Sequence, residues 1–205
     1  MPKITLREEQ AALAQHRIMQ AVAQILTATG EDVTFRSVSL AAKIPERTLY
    51  RCYPTKDALM EAFWLWLNGQ LGMPDPPRSA EELVAQIPAL YAAFEKGDSM
   101  VRAMLHDNSG RATRLAQAPT RRKRFQEALK DVLKPLQAPH QRRLLASVQL
   151  LASASGWETM KDQWGLSGPQ AADAAQWAIK ALLDQAANEV LSSPATRPSK
   201  PKRIK

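Results

Sequence analysis

Cysteine is almost absent from this sequence, because Cys52 is the single one among 205 residues. One thiol cannot form an intramolecular disulfide or build a cysteine-ligated zinc site, and this scarcity favours a reducing compartment. The three histidines, His16, His106 and His140, lie far apart and have no partners at ligand-like spacing. We therefore predict no metal site.

Long apolar runs are also missing. No stretch approaches the roughly 20 apolar residues that span a bilayer. The first ten residues, MPKITLREEQ, lack the apolar core of a signal peptide. We expect a cytoplasmic protein with no membrane contact.

Catalytic signatures are absent too. The chain has no glycine-rich phosphate loop, no nucleophile elbow and no recognisable carboxylate pair. An enzyme is therefore the least favoured class of protein, and we predict neither catalytic residues nor a cofactor.

Basic residues are plentiful, with a formal net charge of +8 and an isoelectric point near 9.8. Such a charge favours an anionic partner such as nucleic acid. Five of the positive charges lie in the last stretch, at Arg197, Lys200, Lys202, Arg203 and Lys205. The body of the protein is therefore only mildly basic, and the run RRKRF at 121–125 is interpreted as a solvated helix face.

Apolar residues recur at helical spacing along most of the chain, and no segment alternates like a strand for long. The predicted fold class is all-α. The first predicted helix covers 8–29, with Gly30 as its stop. The second follows a cap at Thr34, the third covers 46–53, and the fourth follows a cap at Thr55. Further helices are predicted at 80–96, 98–106, 110–117, 120–137, 139–164 and 168–191. Ser79 and Glu82 are predicted to form a capping box.

The second and third predicted helices are joined by a tight turn at 43–45 and together span about twenty residues, which is the layout of a helix-turn-helix. The third helix then enters the major groove of DNA. Its apolar side, Leu49 with Cys52 or Tyr53, is expected to hold it on the first two helices.

The opposite side of this helix carries polar groups suited to DNA. Arg47, Thr48 and Arg51 can meet base edges, and the hydroxyl of Tyr50 can donate to a phosphate. Lys56 lies near the start of the fourth helix, where free backbone N–H groups add to its attraction for a second phosphate.

The segment TFRSVSLAAKIPERTLYRCYPTKDAL, residues 34–59, resembles the DNA-binding segment of the TetR family of transcriptional repressors. The resemblance implies an N-terminal three-helix DNA-binding domain and a larger helical ligand-binding and dimerisation domain. It implies phosphate contacts from Thr34, Arg36, Tyr50 and Lys56, and base or backbone contacts from Glu46, Arg47, Thr48 and Arg51. The aromatic Tyr53 belongs to the same shared pattern and is also predicted as a DNA-binding residue.

This segment departs from the family at the turn and at the start of the third helix. Family members usually have glycine where this chain has Lys43, and a left-handed turn there costs lysine about 1 kcal/mol more than glycine. Pro45 replaces a serine or threonine cap, and Arg47 replaces a small residue. Glu46 either accepts from a cytosine amino group or interacts with the dipole of its own helix.

The predicted organisation is a DNA-binding domain at 1–56, an effector-binding and dimerisation domain at 57–191, and a disordered basic tail at 192–205. The partners expected from the resemblance are double-stranded DNA, a second copy of the chain and a small-molecule effector of unknown identity. The function is then that of a repressor released from a palindromic operator. The alternative is a helical ligand- or partner-binding protein whose DNA-reading surface has degenerated, for which Lys43, Pro45 and Glu46 are the evidence.

In the family, the region after the DNA-binding part holds an apolar pocket for the effector. The large apolar candidates for such a pocket here are Phe63, Trp66, Tyr91, Phe94, Met104, Phe125 and Trp157. Plain core packing is the alternative explanation for most of them. The apolar faces at 139–164 and 168–191 suit a four-helix dimer bundle, or else they pack within one chain.

Overall fold

The computed structural model describes residues 5–28 and 32–192, and every regular element within these ranges is an α-helix. The predicted all-α fold class is therefore confirmed. Gly30 and residues 193–205 of the predicted tail lie outside the described residues. The helices are α1 (Leu6–Thr27), α2 (Phe35–Ala42), α3 (Glu46–Cys52), α4 (Lys56–Leu71), α5 (Ala80–Lys96), α6 (Asp98–His106), α7 (Asn108–Ala116), α8 (Ala118–Ala128), α9 (Lys130–Leu133), α10 (Ala138–Leu151), α11 (Ala154–Trp164) and α12 (Gly168–Ser192).

The helices form two compact units. The first contains the described residues up to 73 together with 93–118, and the second contains 74–92 together with the described residues from 119 onwards. Among the described residues, no helix is both long enough and apolar enough to cross a bilayer.

In the first unit, α1 packs against α2, α4 and α6, while α2 packs against α3 and α4 against α7. The shared core includes Val22, Val38, Leu49, Leu59 and Phe63, all fully buried. This unit extends beyond residue 56 because α4, α6 and α7 contribute to it. The functional division at residue 56 stays a prediction.

In the second unit, α12 packs against α9, α10 and α11. Trp157 and Val148 are fully buried there, as are Ala171 and Ala175 on α12. Small side chains on one face of α12 let its backbone approach its neighbours closely.

A proline inside α5 leaves one backbone acceptor without its helical partner, and α12 supplies a replacement. Pro88 has no N–H, so the carbonyl of Val84 four residues earlier cannot receive the usual helical hydrogen bond. The side-chain amide of Gln176 donates to that carbonyl, with 2.9 Å between Nε2 and O. This bond joins α12 to α5 at the position where Pro88 removes a backbone hydrogen bond of α5.

Two helices predicted as continuous are interrupted, so those predictions are wrong in extent. The segment 120–137 divides at Leu129, whose φ of −101° and ψ of 9° are not helical. The segment 139–164 divides at Ala152, and Ser153 then caps α11 by accepting from the N–H of Gly156. The hydroxyl of the buried Tyr91 donates to the carbonyl of Leu151 at 2.7 Å and so satisfies an acceptor at the end of α10.

The predicted caps of the other helices are largely present. Thr34 accepts from the N–H of Ser37, and Thr55 accepts from that of Ala58. Ser79 accepts from the N–H of Glu82, but the Glu82 carboxylate bonds the N–H of Arg78 instead of that of Ser79. Half of the predicted capping box is therefore present, and the bond from the Glu82 carboxylate goes to the residue before the predicted one.

Candidate nucleic-acid interface

The turn between α2 and α3 is left-handed at Lys43, with φ of 54° and ψ of 46°. Lys43 is the one non-glycine residue with positive φ among the described residues. The turn closes through Ser39, whose carbonyl accepts from the N–H of Ile44 at 3.1 Å and whose hydroxyl donates to the carbonyl of Ile44 at 2.7 Å. Burial of Ile44 anchors this geometry, although left-handed backbone costs a lysine about 1–2 kcal/mol.

Helix α3 starts directly after Pro45, which offers no side-chain cap. The carbonyl of Pro45 accepts from the N–H groups of Thr48 and Leu49 at 2.8 and 3.3 Å. Glu46, in the first turn, is exposed and lies where the helix dipole favours a carboxylate. Both explanations of Glu46 therefore remain open.

One side of α3 is fixed in the core of the first unit. Leu49 is fully buried and Tyr53, immediately after the helix, is 6% exposed, whereas Cys52 is exposed. Burial raises the pKa of the Tyr53 hydroxyl, which has no hydrogen-bond partner among the described residues. The structure thus gives Tyr53 a packing role and does not present it at the surface as a DNA contact.

The other side of α3 faces solvent. Glu46, Arg47, Tyr50 and Arg51 are exposed, and Thr48 is half-buried. Neither Arg47 nor Arg51 forms an ion pair with any residue in the described ranges. Two unpaired guanidinium groups on one seven-residue helix can therefore meet an external anion without first breaking an internal contact.

The ring of Tyr50 lies on the ring of Phe35 from α2. Their centroids are 4.2 Å apart and their planes differ by 18°. Phe35 is half-buried and packs against the core of the first unit, while 51% of Tyr50 is exposed. A surface tyrosine is therefore held by an aromatic partner that is itself anchored.

Thr34 and Arg36 lie at the start of α2. Thr34 is exposed, but its hydroxyl donates to the Ser37 hydroxyl at 3.0 Å and accepts from the Ser37 N–H at 3.0 Å. A phosphate contact by Thr34 would have to replace the first of these bonds. Arg36 is exposed and has no ion-pair partner among the described residues.

Lys56 is the first residue of α4 and is exposed. The Thr55 hydroxyl already occupies the N–H of Ala58 at 3.1 Å, which leaves the N–H groups of Lys56 and Asp57 available. Asp57 adds a neighbouring negative charge, which weakens the attraction of this helix end for a phosphate.

The candidate effector residues divide between the two units. In the first unit, Phe63, Phe94 and Met104 are buried and Trp66 is half-buried; in the second, Tyr91 and Trp157 are fully buried and Phe125 is half-buried. The Trp66 ring is 5.7 Å from the Phe63 ring and 6.1 Å from that of His16. Such burial is what core packing alone requires, and a ligand role for these residues stays a prediction.

A groove in the second unit was missed by the sequence analysis. It has a volume of about 250 Å³ between α10 and α12, with Leu144 and Ala186 among its lining residues. At its rim the Glu189 carboxylate accepts from Arg143 at 2.6 Å and lies 3.1 Å from Nδ1 of His140. The Arg143–Glu189 pair joins residues 46 positions apart, so no local sequence signal announces it.

The helices expected to form a dimer bundle pack on each other within the chain. Leu144 and Val148 of α10 are buried, and α10 contacts α12. Leu182 and Leu183 of α12 remain half-buried. The same faces therefore already contribute to packing inside one chain.

No family model matches this chain, and no curated protein matches it either.

Proposed function

We propose that this protein is a sequence-specific DNA-binding transcriptional regulator of the TetR type, with α2 and α3 as its helix-turn-helix. The observation that carries the proposal is the two-sidedness of α3: Leu49 is fully buried, while Arg47, Tyr50 and Arg51 are exposed on the same helix. A reading helix needs this division, because one side must be fixed rigidly while the other reaches base edges.

Phosphate contacts orient the helix in the groove. Arg36 on α2 and Lys56 on α4 are exposed cations on either side of α3 in the chain, and Tyr50 offers a neutral hydroxyl. Contacts of this kind set register and orientation, whereas base contacts from Arg47, Thr48 and Arg51 supply specificity. We keep Glu46 as a candidate base contact to cytosine.

We further propose that the protein acts as a homodimer on a palindromic operator. A single short reading helix contacts few base pairs, and a two-fold pair placed about 34 Å apart reads two half-sites one helical turn apart. The half-buried Leu182 and Leu183 of α12 support an interface on that helix.

A small-molecule effector is proposed to release the operator by favouring a dimer whose reading helices are wrongly spaced. An effector changes the equilibrium only by its differential affinity for the two states, commonly about 1–3 kcal/mol. Repression is part of this proposal, as the resemblance of the segment 34–59 implies, and a cytoplasmic location is proposed with it.

The alternative is a helical ligand- or partner-binding protein without DNA affinity. The strained Lys43, the uncapped Pro45 and the acidic Glu46 favour it. The exposed arginines of α3, which form no ion pair with any residue that the structure describes, favour the regulator.

The decisive experiment is to sequence the genomic DNA fragments that the purified protein retains from its source organism at near-physiological salt. We expect a shared inverted repeat with half-sites about one turn apart. Retention without any common sequence would contradict specific recognition, and no retention would favour the alternative.

A charge-matched pair of variants separates reading from general attraction. Arg47→Ala with Arg51→Ala should abolish selection of the repeat, because each well-formed arginine–guanine pair contributes about 1–3 kcal/mol of discrimination. Arg122→Ala with Arg124→Ala removes the same charge from exposed positions on α8. This control should retain the repeat with slightly lower affinity.

A further inference from the structure

We propose that Phe35 is a positioning residue that holds the Tyr50 hydroxyl where it donates to a DNA phosphate. This inference rests on the proposed function and deepens it, because it assigns a role to a side chain that does not itself contact DNA. The observation behind it is the ring stack between α2 and α3, with 4.2 Å between centroids and 18° between planes.

The stack removes a freedom that an exposed tyrosine otherwise keeps. With 51% of Tyr50 exposed, solvent alone would leave its ring free to change rotamer. Ordering such a side chain on binding costs affinity, and a ring already held in place avoids that cost. Stacked aromatic pairs also stabilise each other by more than the burial of their apolar area alone provides.

Phe35 is suited to act as the fixed member of the pair. It is half-buried against the core of the first unit and is the first residue of α2. The preceding Thr34 is held by reciprocal hydrogen bonds with Ser37, at 3.0 Å each. The hydrogen bonds of Thr34 thus fix the start of α2, and the ring of Phe35 at that position packs on the ring of Tyr50 at the surface of α3.

This support links two phosphate contacts that the sequence presents as separate. Arg36 lies at the start of α2 and Tyr50 lies on α3. The stack therefore fixes the distance between the backbone of Arg36 and the ring of Tyr50. A duplex with regularly spaced phosphates is bound best by donors whose spacing is already correct. The competing explanation is that Tyr50 simply covers Phe35, for which its hydroxyl is not needed.

The test is a double-mutant cycle between Phe35→Leu and Tyr50→Phe. Leucine keeps apolar bulk at residue 35 but removes the stacked ring, whereas phenylalanine at residue 50 keeps the stack and removes the hydroxyl. Affinity is measured by fluorescence anisotropy on a labelled duplex that carries the selected repeat, or on a mixed-sequence duplex if no repeat is selected. Each variant is measured over a series of salt concentrations.

We expect Phe35→Leu to weaken binding by roughly two- to tenfold in the wild-type background. In the Tyr50→Phe background it should have no further effect. The salt slope should stay unchanged in every variant, since no cation is removed and the slope counts the phosphates that lysine and arginine neutralise. Phe35→Tyr, which keeps a ring at residue 35, should bind like the wild type.

One control and one substitute variant keep the result interpretable. Val38→Ala truncates a fully buried side chain of the same helix and leaves both rings of the stack in the protein. It should lower the melting temperature but leave affinity unchanged wherever the protein is folded. If Phe35→Leu does not fold, Phe35→Met serves instead, since methionine fills irregular space without a ring.

An equal loss of affinity in both backgrounds, a changed salt slope, or wild-type affinity for Phe35→Leu would each overturn the inference. Absence of DNA binding by the wild-type protein would overturn the proposed function and this inference together. The first measurement on the wild type therefore separates the two failures.

Discussion

The hydrogen bond from Gln176 to Val84 gives a sharp prediction about stability. Gln176→Ala removes the donor and leaves the Val84 carbonyl, in the buried part of α5, without a partner. A lost hydrogen bond contributes about 0.5–1.5 kcal/mol, and an unsatisfied buried acceptor raises the cost to about 1–3 kcal/mol. We therefore expect the free energy of unfolding to fall by about 2 kcal/mol.

The cause can be isolated by returning the missing N–H to α5. Pro88→Ala restores a donor four residues after Val84 and relieves a helix-interior proline that costs about 3 kcal/mol when uncompensated. In that background the carbonyl has its own helical partner, so Gln176→Ala should cost at least about 1 kcal/mol less. Gln176→Met tests donation directly, because methionine has similar length but no N–H donor.

Urea denaturation of the four proteins of this cycle measures the effect, with stabilities extrapolated linearly to water. Gln185→Ala is the matched control, because Gln185 is exposed on the same helix α12. It should change stability by less than about 0.5 kcal/mol. An equal cost of Gln176→Ala with and without Pro88 would refute the reasoning.

Three further predictions concern the turn, the α10 terminus and the start of α4. Lys43→Gly should stabilise the protein by about 0.5–1 kcal/mol, because glycine avoids left-handed strain but loses more chain entropy, and Lys43→Ala should give no such gain in the same denaturation assay. Tyr91→Phe should cost about 1–2 kcal/mol by orphaning the Leu151 carbonyl. Burial raises the pKa of the Tyr91 hydroxyl above its ordinary value of 10.0. Its contribution to stability is therefore complete below pH 10.0 and is lost as the pH rises further. Above pH 10.0 the melting temperature should decrease less steeply with pH for Tyr91→Phe than for the wild type. Lys56→Ala should reduce the magnitude of the salt slope of DNA binding by about 0.9, the value for one phosphate contact, and an unchanged slope would remove Lys56 from the interface.

The candidate interface was predictable to the extent that its signals are local. The cap at Thr34, the break imposed by Pro45 and the alternation of polar and apolar residues along 46–53 all act within a few positions, and the helices begin and end close to where these signals lie. The same local pattern did not decide between Cys52 and Tyr53 as the packing partner of Leu49. That choice depends on the direction in which the chain leaves α3, and the structure buries Tyr53.

The interruptions near Leu129 and Ala152 show where periodicity stops being informative. Apolar residues continue at helical spacing through both positions, so a continuous helix satisfied the sequence pattern. Tertiary contacts can satisfy the freed carbonyls of an interrupted helix, as the Tyr91 hydroxyl does at the end of α10. Such a contact joins residues 60 positions apart and leaves no trace in the local sequence.

By itself, the sequence determined that this protein is all-helical, where most helices start, and which face of α3 is polar, because caps, prolines and helical periodicity are properties of neighbouring residues. Tertiary structure alone decided that Phe35 supports Tyr50, that Gln176 replaces the donor missing at Pro88, and that Glu189 joins His140 and Arg143. Each of these contacts joins different helices. Their physical basis is the packing of whole helix faces, which brings together side chains whose separation along the chain is unrelated to their separation in space.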